Sequence, residues 1–298
     1  MIETPFHTSA HAKCILAGEH AVLSGCPALV APIVQMSMSL SFQPSELPLE
    51  LVCRTPYEDT FRLFFWNTFM SGLQLLKKNK WEIKGKFDLE NNIQMGAGVG
   101  FSSALCVAIT RFFIWSQWLE EDKLFEFARK LENIFHGQSS GLDIAGAIAN
   151  HIVHFEKSGE IHEIQTNWQP LFYLSYSGYG KNTSEAVNHV KKIRHNNPDV
   201  AKAIDEEMRQ SVLMIEESLK MGADRGLPLL QAAIDHANHC FESWNLIPPE
   251  LQKHIDELHQ LGAIAVKPTG AGIGGYVLSL WDKTPPTQSK IELVSIFE

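Results

Sequence analysis

The sequence predicts an α+β fold, and three observations lead to that class. Strand-like and helical patterns are mixed along the 298 residues without a regular strand–helix–strand alternation. Hydrophobic residues make up 45% of the chain and charged residues 20%, which is typical of a globular protein with buried cores. The length allows one or two domains, and the pattern of elements changes near residue 165. We therefore expect an N-terminal domain over residues 1–165 and a C-terminal domain over residues 166–298.

The N-terminal half is predicted to contain three strands and three helices, and glycine or serine residues mark several of their ends. Gly25 lies in the connection between the first two strands, Ser103 is a favoured helix cap, and Gly137 stops a helix. Strands are expected at 13–16, 27–34 and 81–89, and helices at 61–77, 103–119 and 123–135.

The C-terminal half is predicted to contain three helices and three strands. Its longest helix carries apolar residues at helical spacing, with acidic residues between them, and Gly222 ends it. Gly262 ends the last helix in the same way. Helices are expected at 201–221, 228–244 and 250–261, and strands at 171–177, 263–266 and 276–280.

Composition argues against several classes of function. The formal net charge is −9 and no basic run occurs, so neither nucleic acid nor an anionic membrane is expected as the main partner. The five cysteines are scattered and form no C-x-x-C pair, which indicates neither a zinc site nor a disulfide framework. No signal-peptide pattern opens the chain, and its most apolar stretch, residues 104–119, is too short to span a bilayer comfortably. We expect a reduced, cytoplasmic protein.

The strongest local signal for chemistry is a glycine loop that opens a helix. Glycines let backbone N–H groups approach phosphate oxygens, and a helix N-terminus adds partial positive charge. The serine hydroxyls that follow could reach phosphate or Mg²⁺. The loop lacks the lysine of a Walker loop and the spacing of a dinucleotide fingerprint, and a plain tight turn is the alternative. Its residues are Gly96, Ala97, Gly98, Val99, Gly100, Phe101, Ser102 and Ser103.

A second glycine-rich stretch, residues 269–275, lies between two apolar segments. Glycines such as Gly270 and Gly272 weaken a strand, so close approach to a ligand or to another backbone is the expected gain. A β-hairpin turn is the alternative.

Two further segments carry polar residues suited to catalysis. Asp143 ends a Ser-Gly-x-Asp turn and could act as a base, and Glu132 on the preceding helix could hold a metal. A helix cap and a solvated helix face are the alternatives. Lys13 lies in an apolar strand, and Glu19 and His20 follow it. Taken alone, this lysine would extend to solvent and this histidine would be structural.

Together the motifs resemble the GHMP superfamily of small-molecule kinases, which includes galactokinase, homoserine kinase, mevalonate kinase and phosphomevalonate kinase. That family has a lysine-bearing strand, a central Gly-rich Ser-Ser loop and a C-terminal glycine loop, here AKCILAGEHAVLSG, GAGVGFSSA and KPTGAGIGG. GEHAVLSGCPALVAPI and LENIFHGQSSGLD resemble mevalonate kinases in particular. The resemblance spans residues 13–280 and implies an N-terminal domain like ribosomal protein S5 domain 2 and a ferredoxin-like C-terminal domain.

The sequence departs from the family pattern in two places. His11-Ala12 precede Lys13 where the family usually has Pro-Gly, and the central loop has Phe101 before its two serines. Alignment on the serines makes the loop one residue longer and keeps Ser102 and Ser103 at the helix start. Alignment on the preceding Gly-Phe pair is the alternative.

The resemblance implies an ATP-dependent kinase that phosphorylates the primary hydroxyl of mevalonate. Asp143 would be the catalytic base, and Lys13 would keep it ionised. Ser103 and Glu132 would hold Mg²⁺ against the phosphates. The remaining implied roles are triphosphate binding by residues 96–103 and by Gly270 and Gly272, and acceptor binding by Glu19 and His20.

Two alternatives to this activity are open. One is another kinase of the same family, acting on phosphomevalonate or on a sugar, although the matched motifs contain no evident cluster of Arg or Lys for a phosphorylated acceptor. The other is a non-catalytic nucleotide-binding sensor of the same fold, against which the retention of Lys13, Glu132 and Asp143 argues. A homodimer is expected from the resemblance alone.

Overall fold

A computed structural model of the protein describes residues 4–55, 57–137, 139–180 and 183–297. The chain forms two compact units, and each is assembled from separate segments. Unit 1 comprises residues 1–12, 36–93 and 100–148, and unit 2 comprises residues 13–35, 94–99 and 149–298. The single boundary near residue 165 stays a prediction.

Strands and helices are mixed along the chain, as the sequence predicts. The strands are β1 (Phe6–Ala17), β2 (Ala28–Pro44), β3 (Glu50–Arg54), β4 (Gly85–Asn91), β5 (Val153–Phe155), β6 (Ile161–Glu163), β7 (Leu171–Tyr176), β8 (Ala265–Pro268), β9 (Tyr276–Trp281) and β10 (Val294–Ser295). The helices are α1 (Glu58–Leu76), α2 (Phe101–Trp115), α3 (Leu124–His136), α4 (Leu142–Ile148), α5 (Thr183–Asn196), α6 (Pro198–Lys220), α7 (Ala223–Ser243) and α8 (Pro249–Leu261).

Unit 1 is organised around a core of phenylalanine rings. The C-terminal part of β2 pairs antiparallel with β4 from Met38↔Asn91 to Pro44↔Gly85, and β4 pairs in parallel with β3. The Phe69 ring lies 5.3 Å from Phe87 and 5.4 Å from Phe113, measured between ring centroids. A Cβ atom at Gly72 would lie 2.4 Å from the Phe113 ring, so this glycine lets α2 approach α1. Helix α2 also packs on α3 and α4.

Unit 2 contains a four-stranded antiparallel sheet in the order β10-β7-β9-β8. Helix α8 packs on β8 and β9 through a cluster that includes Leu258, Val266 and Trp281. Helices α6 and α7 pack on each other, and the Ser211 hydroxyl donates a hydrogen bond to the Ala233 carbonyl at 2.7 Å. The first part of β2 pairs with β5, and β5 pairs with β6.

The structure differs from the predicted elements at several boundaries. Ser103 does not cap α2, because Gly100 occupies the cap position in a left-handed conformation and the helix begins two residues earlier. The strand predicted at 81–89 begins later, at Gly85, because a short 3-10 turn occupies Lys80–Glu82. Helix α7 begins at Ala223 rather than at Pro228, which lies inside its second turn. The elements that sequence patterns missed are β3, α4, β5, β6, α5 and β10.

None of the helices in the described part of the chain combines the length and the hydropathy needed to cross a bilayer.

Candidate functional site

The central glycine loop has the backbone conformation that its composition requires. Gly96, Gly98 and Gly100 have φ angles of 72°, 82° and 90°, which side chains with a Cβ atom rarely adopt. A Cβ atom at Gly96 would meet no atom within 4 Å among those described, so the space beside this residue is open. The glycines are therefore needed for the course of the backbone, as a phosphate-binding loop requires.

Lys13 lies against this loop within unit 2. Its Nζ donates a hydrogen bond to the Gly98 carbonyl at 2.9 Å, and its backbone N–H donates to the Val99 carbonyl at 2.8 Å. The residue is only 2% exposed. The alternative in which this lysine extends to solvent is therefore wrong.

The start of α2 in unit 1 presents backbone N–H groups next to two serines. Phe101 is the first helical residue, so Ser102 and Ser103 occupy the first turn, where N–H groups have no partner inside the helix. The Ser103 hydroxyl is fully buried and donates to the Gly100 carbonyl at 2.9 Å. Ser102 is half-buried. A helix start of this kind favours an anion.

Glu132 on α3 and the loop before α4 form a connected group in unit 1. Glu132 is 1% exposed, so the alternative of a solvated face is wrong. The Ser139 hydroxyl donates to Glu132 Oε2 and accepts the Gly141 N–H at 3.0 Å. Ser139 therefore joins Glu132 to the turn that carries Asp143, which is half-buried in the first turn of α4.

Helix α3, which carries Glu132, packs on α2, which carries the two serines. Burial raises the pKa of the Cys106 thiol well above its usual value, and the charge of Glu132 adds to that rise. Cys106 lies one helical turn beyond Ser102 and Ser103. Carboxylate and hydroxyl oxygens, the ligands that Mg²⁺ prefers, are thus held on neighbouring parts of unit 1.

Glu19 forms an ion pair in the interior of unit 2 with a residue that sequence reasoning did not select. Lys267 Nζ lies 2.5 Å from Glu19 Oε1, and the two side chains are 0% and 1% exposed. The same ammonium donates to the Ile15 carbonyl at 3.3 Å and lies 5.4 Å from the centroid of the Phe241 ring. Burial raises the pKa of Glu19, and the charge of Lys267 opposes that rise.

His20 follows Glu19 in the chain and has a positive φ of 54°. Its Nε2 lies 2.9 Å from the Ala271 carbonyl, and its ring packs edge-on to Trp244 at 5.2 Å between centroids. The guanidinium of Arg194 donates to the His20 carbonyl at 2.9 Å and to Asp205 Oδ1 at 2.8 Å. The backbone at His20 is therefore fixed by contacts from α5 and from the second glycine stretch.

The second glycine stretch connects antiparallel strands β8 and β9, so the hairpin alternative describes its topology correctly. Gly272 has φ 79°, and a Cβ atom there would lie 2.9 Å from Leu246 Cβ. The Thr269 hydroxyl accepts the Ile15 N–H and donates to the Ile15 carbonyl, both at 3.0 Å. The first and third motifs thus form one hydrogen-bonded assembly within unit 2.

Comparison with known proteins shows which proteins the chain resembles. Residues 67–151 match the model of the GHMP kinases N terminal domain. The mevalonate kinase of Pyrococcus furiosus is 24% identical, over 91% of this chain and 88% of that protein, and the mevalonate kinase of Archaeoglobus fulgidus is 26% identical, over 95% of both. The chain therefore contains a match to the GHMP kinases N terminal domain and is similar to mevalonate kinases over most of its length. The structure of L. major mevalonate kinase with R-mevalonate matches with a TM-score of 0.81 and 21% identity, over 95% of this chain and 90% of that chain.

The structure of the Methanococcus jannaschii mevalonate kinase also matches, with a TM-score of 0.77 and 18% identity over 99% of this chain and 98% of that chain. These likenesses confirm the predicted two-domain α+β architecture.

Three residues that contact predicted site residues were not selected from sequence. Lys267 stands in KPTGAGIGG, directly after the apolar run 263–266, and a lysine at the end of an apolar strand is the signal that could have been used. Ser139 stands beside the predicted base turn. Arg194 lies far away in the sequence, on a helix that the pattern did not reveal.

Proposed function

We propose that this protein is a GHMP kinase and, within that family, a mevalonate kinase, which transfers the γ-phosphoryl group of ATP to the primary hydroxyl of mevalonate and releases ADP. The observation that carries the proposal is similarity along the whole chain. Relatives named mevalonate kinase align with 91–95% of it, far more than the central glycine loop and its helix alone.

The donors in unit 1 suit Mg²⁺. Magnesium takes hard oxygen ligands, usually one or two from protein together with phosphate oxygens and water. Glu132 provides a buried carboxylate, and Ser102 and Ser103 provide hydroxyls at the start of α2. Within the described ranges, no group of three or more His, Cys, Asp or Glu could hold a metal, so phosphate oxygens would have to complete the ligand set. Bound Mg²⁺ would offset charge on the β- and γ-phosphates.

The two serines that could bind Mg²⁺ differ in burial. Ser103 is the predicted Mg²⁺ ligand, yet its hydroxyl is fully buried and donates to the Gly100 carbonyl. Ser102 is half-buried in the same first turn. Because a ligand must be reached by the ion, we propose Ser102 as the alternative to Ser103.

Catalysis in this proposal depends on one general base and on groups with full or partial positive charge near the phosphates. Asp143 would accept the proton of the acceptor hydroxyl, a contribution of about 10²–10⁴-fold in rate. Lys13 would stabilise negative charge near the phosphates, which its contact with the Gly98 carbonyl supports. Triphosphate binding would use the N–H groups of residues 96–103 and the backbone at Gly270 and Gly272. Glu19 and His20 would form the acceptor side.

A groove in unit 1 suits the adenine of ATP. It has a volume of about 610 Å³ and lies between α1 and the end of α3, lined by Phe64, Asn67, Gln74 and Phe135 among others. The Phe64 ring lies 5.8 Å from that of Phe101 in the central loop and 5.7 Å from that of Phe135. Aromatic walls can stack on a purine, and side-chain amides can hydrogen-bond its edge.

An acceptor panel tests the proposed function. ADP release by the purified chain with ATP and Mg²⁺ should be measured with mevalonate, phosphomevalonate, homoserine and galactose in turn. We expect mevalonate to give the highest kcat/KM. A higher kcat/KM for another acceptor would assign another activity within the family, and ATP binding without turnover of any acceptor would favour the sensor.

A further inference from the structure

The Glu19–Lys267 ion pair is a buried unit of zero net charge. Both side chains are excluded from solvent, and their charged atoms are 2.5 Å apart. An isolated charge in such a place is strongly unfavourable, whereas a paired and hydrogen-bonded one is tolerated. Lys267 meets this requirement with a second hydrogen bond, to the Ile15 carbonyl. The charge of each residue is thus matched by that of the other.

The pair lies where the two motifs of unit 2 meet. Glu19 directly precedes His20, whose ring is held by the Ala271 carbonyl and by Trp244. Lys267 precedes Thr269, whose hydroxyl is bonded to the backbone of β1. The net charge of the pair therefore contributes to the electrostatic potential at the residues that the proposed function assigns to the acceptor.

We infer that Lys267 is a specificity-determining residue, which acts through Glu19 by cancelling its negative charge so that the acceptor site admits an anionic alcohol. Mevalonate carries a carboxylate, and an uncompensated carboxylate at Glu19 would repel it across a poorly hydrated interior. With Lys267 in place, Glu19 keeps its position and its hydrogen bond, and the pair as a whole carries no net charge. This inference rests on the proposed mevalonate kinase activity.

Kinetics with a charged and a neutral acceptor test the inference. The neutral acceptor is 3-methylpentane-1,3,5-triol, in which the carboxylate of mevalonate is replaced by a hydroxymethyl group. In Lys267→Met we expect the ratio of kcat/KM for mevalonate to kcat/KM for the triol to fall on the order of tenfold or more, mainly through KM. The KM for ATP should stay within about twofold of the wild-type value. The double variant Glu19→Gln/Lys267→Met, which again has no net charge, should restore the ratio.

A matched control distinguishes the effect of the charge at the Glu19–Lys267 pair from the effect of the net charge of the protein. Lys253 lies on α8 in the same unit and its side chain is 79% exposed, so Lys253→Met removes one positive charge without touching the pair. We expect its acceptor ratio to equal that of the wild type. Equal losses for both acceptors in Lys267→Met, with an unchanged ratio, would overturn the inference and indicate a structural role only.

A variant that keeps the lysine covers the case in which Lys267→Met does not fold. In Glu19→Gln the remaining positive charge should raise the ratio several-fold in favour of mevalonate. An unchanged or lowered ratio in that variant would overturn the inference. Failure of the proposed function is distinguished by the wild type, because a wild-type chain that does not turn over mevalonate refutes that function directly.

Discussion

Replacement of Ser139 by alanine should loosen the carboxylate proposed to hold Mg²⁺. The Ser139 hydroxyl donates to Glu132 Oε2 and accepts the Gly141 N–H at 3.0 Å. A hydrogen bond to a charged group contributes about 1.5–3 kcal/mol and a neutral one about 1 kcal/mol, with the larger loss where a buried partner is left unsatisfied. We therefore expect Ser139→Ala to lower the free energy of unfolding by about 2–4 kcal/mol.

The backbone of this turn should stay in place in the variant. The Ser139 N–H donates to Asn133 Oδ1 at 2.7 Å, and the Ser139 carbonyl accepts from Arg129 Nε at 3.3 Å. Neither contact uses the hydroxyl. The loss of stability in Ser139→Ala therefore measures only the hydroxyl contacts that join Glu132 to the turn that carries Asp143.

Urea unfolding and a Mg²⁺ titration of activity together measure the effect. The matched control is Ser140→Ala, because that hydroxyl accepts only the Leu142 N–H at 3.2 Å among the hydrogen bonds described for it, and it should lower stability by about 1 kcal/mol. Ser139→Ala should also raise the Mg²⁺ concentration for half-maximal rate, whereas the KM for mevalonate should change little. Equal stability of the two variants, with an unchanged Mg²⁺ requirement, would refute this reasoning.

Four further predictions concern the proposed site and the cysteines. Asp143→Asn should lower kcat by about 10²–10⁴-fold and leave ATP affinity nearly unchanged in calorimetry; near-normal turnover would exclude it as the base. Ser102→Ala should raise the Mg²⁺ requirement more than Ser103→Ala does, and the reverse order in the titration would restore Ser103 as the ligand. Phe135→Ala should raise the KM for ATP about tenfold without a change in the KM for mevalonate, and an unchanged KM for ATP would move adenine away from the groove. Cys26 should react first with a thiol reagent in peptide mapping, because the other four cysteines are buried.

Most of the helices and strands could be predicted because they are amphipathic, with apolar residues recurring at the period of the element. Helices α1, α6 and α8 show apolar residues at helical spacing and end at the predicted positions within one or two residues. Short elements were missed for a physical reason: β5 and β6 have three residues each, too few for a period to show. Helix α5 has few buried residues, among them Ala186 and Val190, so its pattern is weak.

The predicted site residues are partly brought together by the structure, and their partners could not be predicted. The contact between Lys13 and the central loop joins residues 85 positions apart, and the pair of Glu19 with Lys267 joins residues 248 positions apart. Glycine conformation is a local property, so the loops were predictable. Charge compensation is a tertiary property, and it requires knowledge of which strand lies beside which.

The central claim, phosphorylation of mevalonate by ATP, is tested most directly by identifying the product. ³¹P NMR of a reaction containing the purified chain, ATP, Mg²⁺ and mevalonate should show one new phosphomonoester, coupled to the C5 methylene protons, in an amount equal to the ADP formed. ADP without that phosphomonoester, or no consumption of ATP while mevalonate is present, would contradict the account.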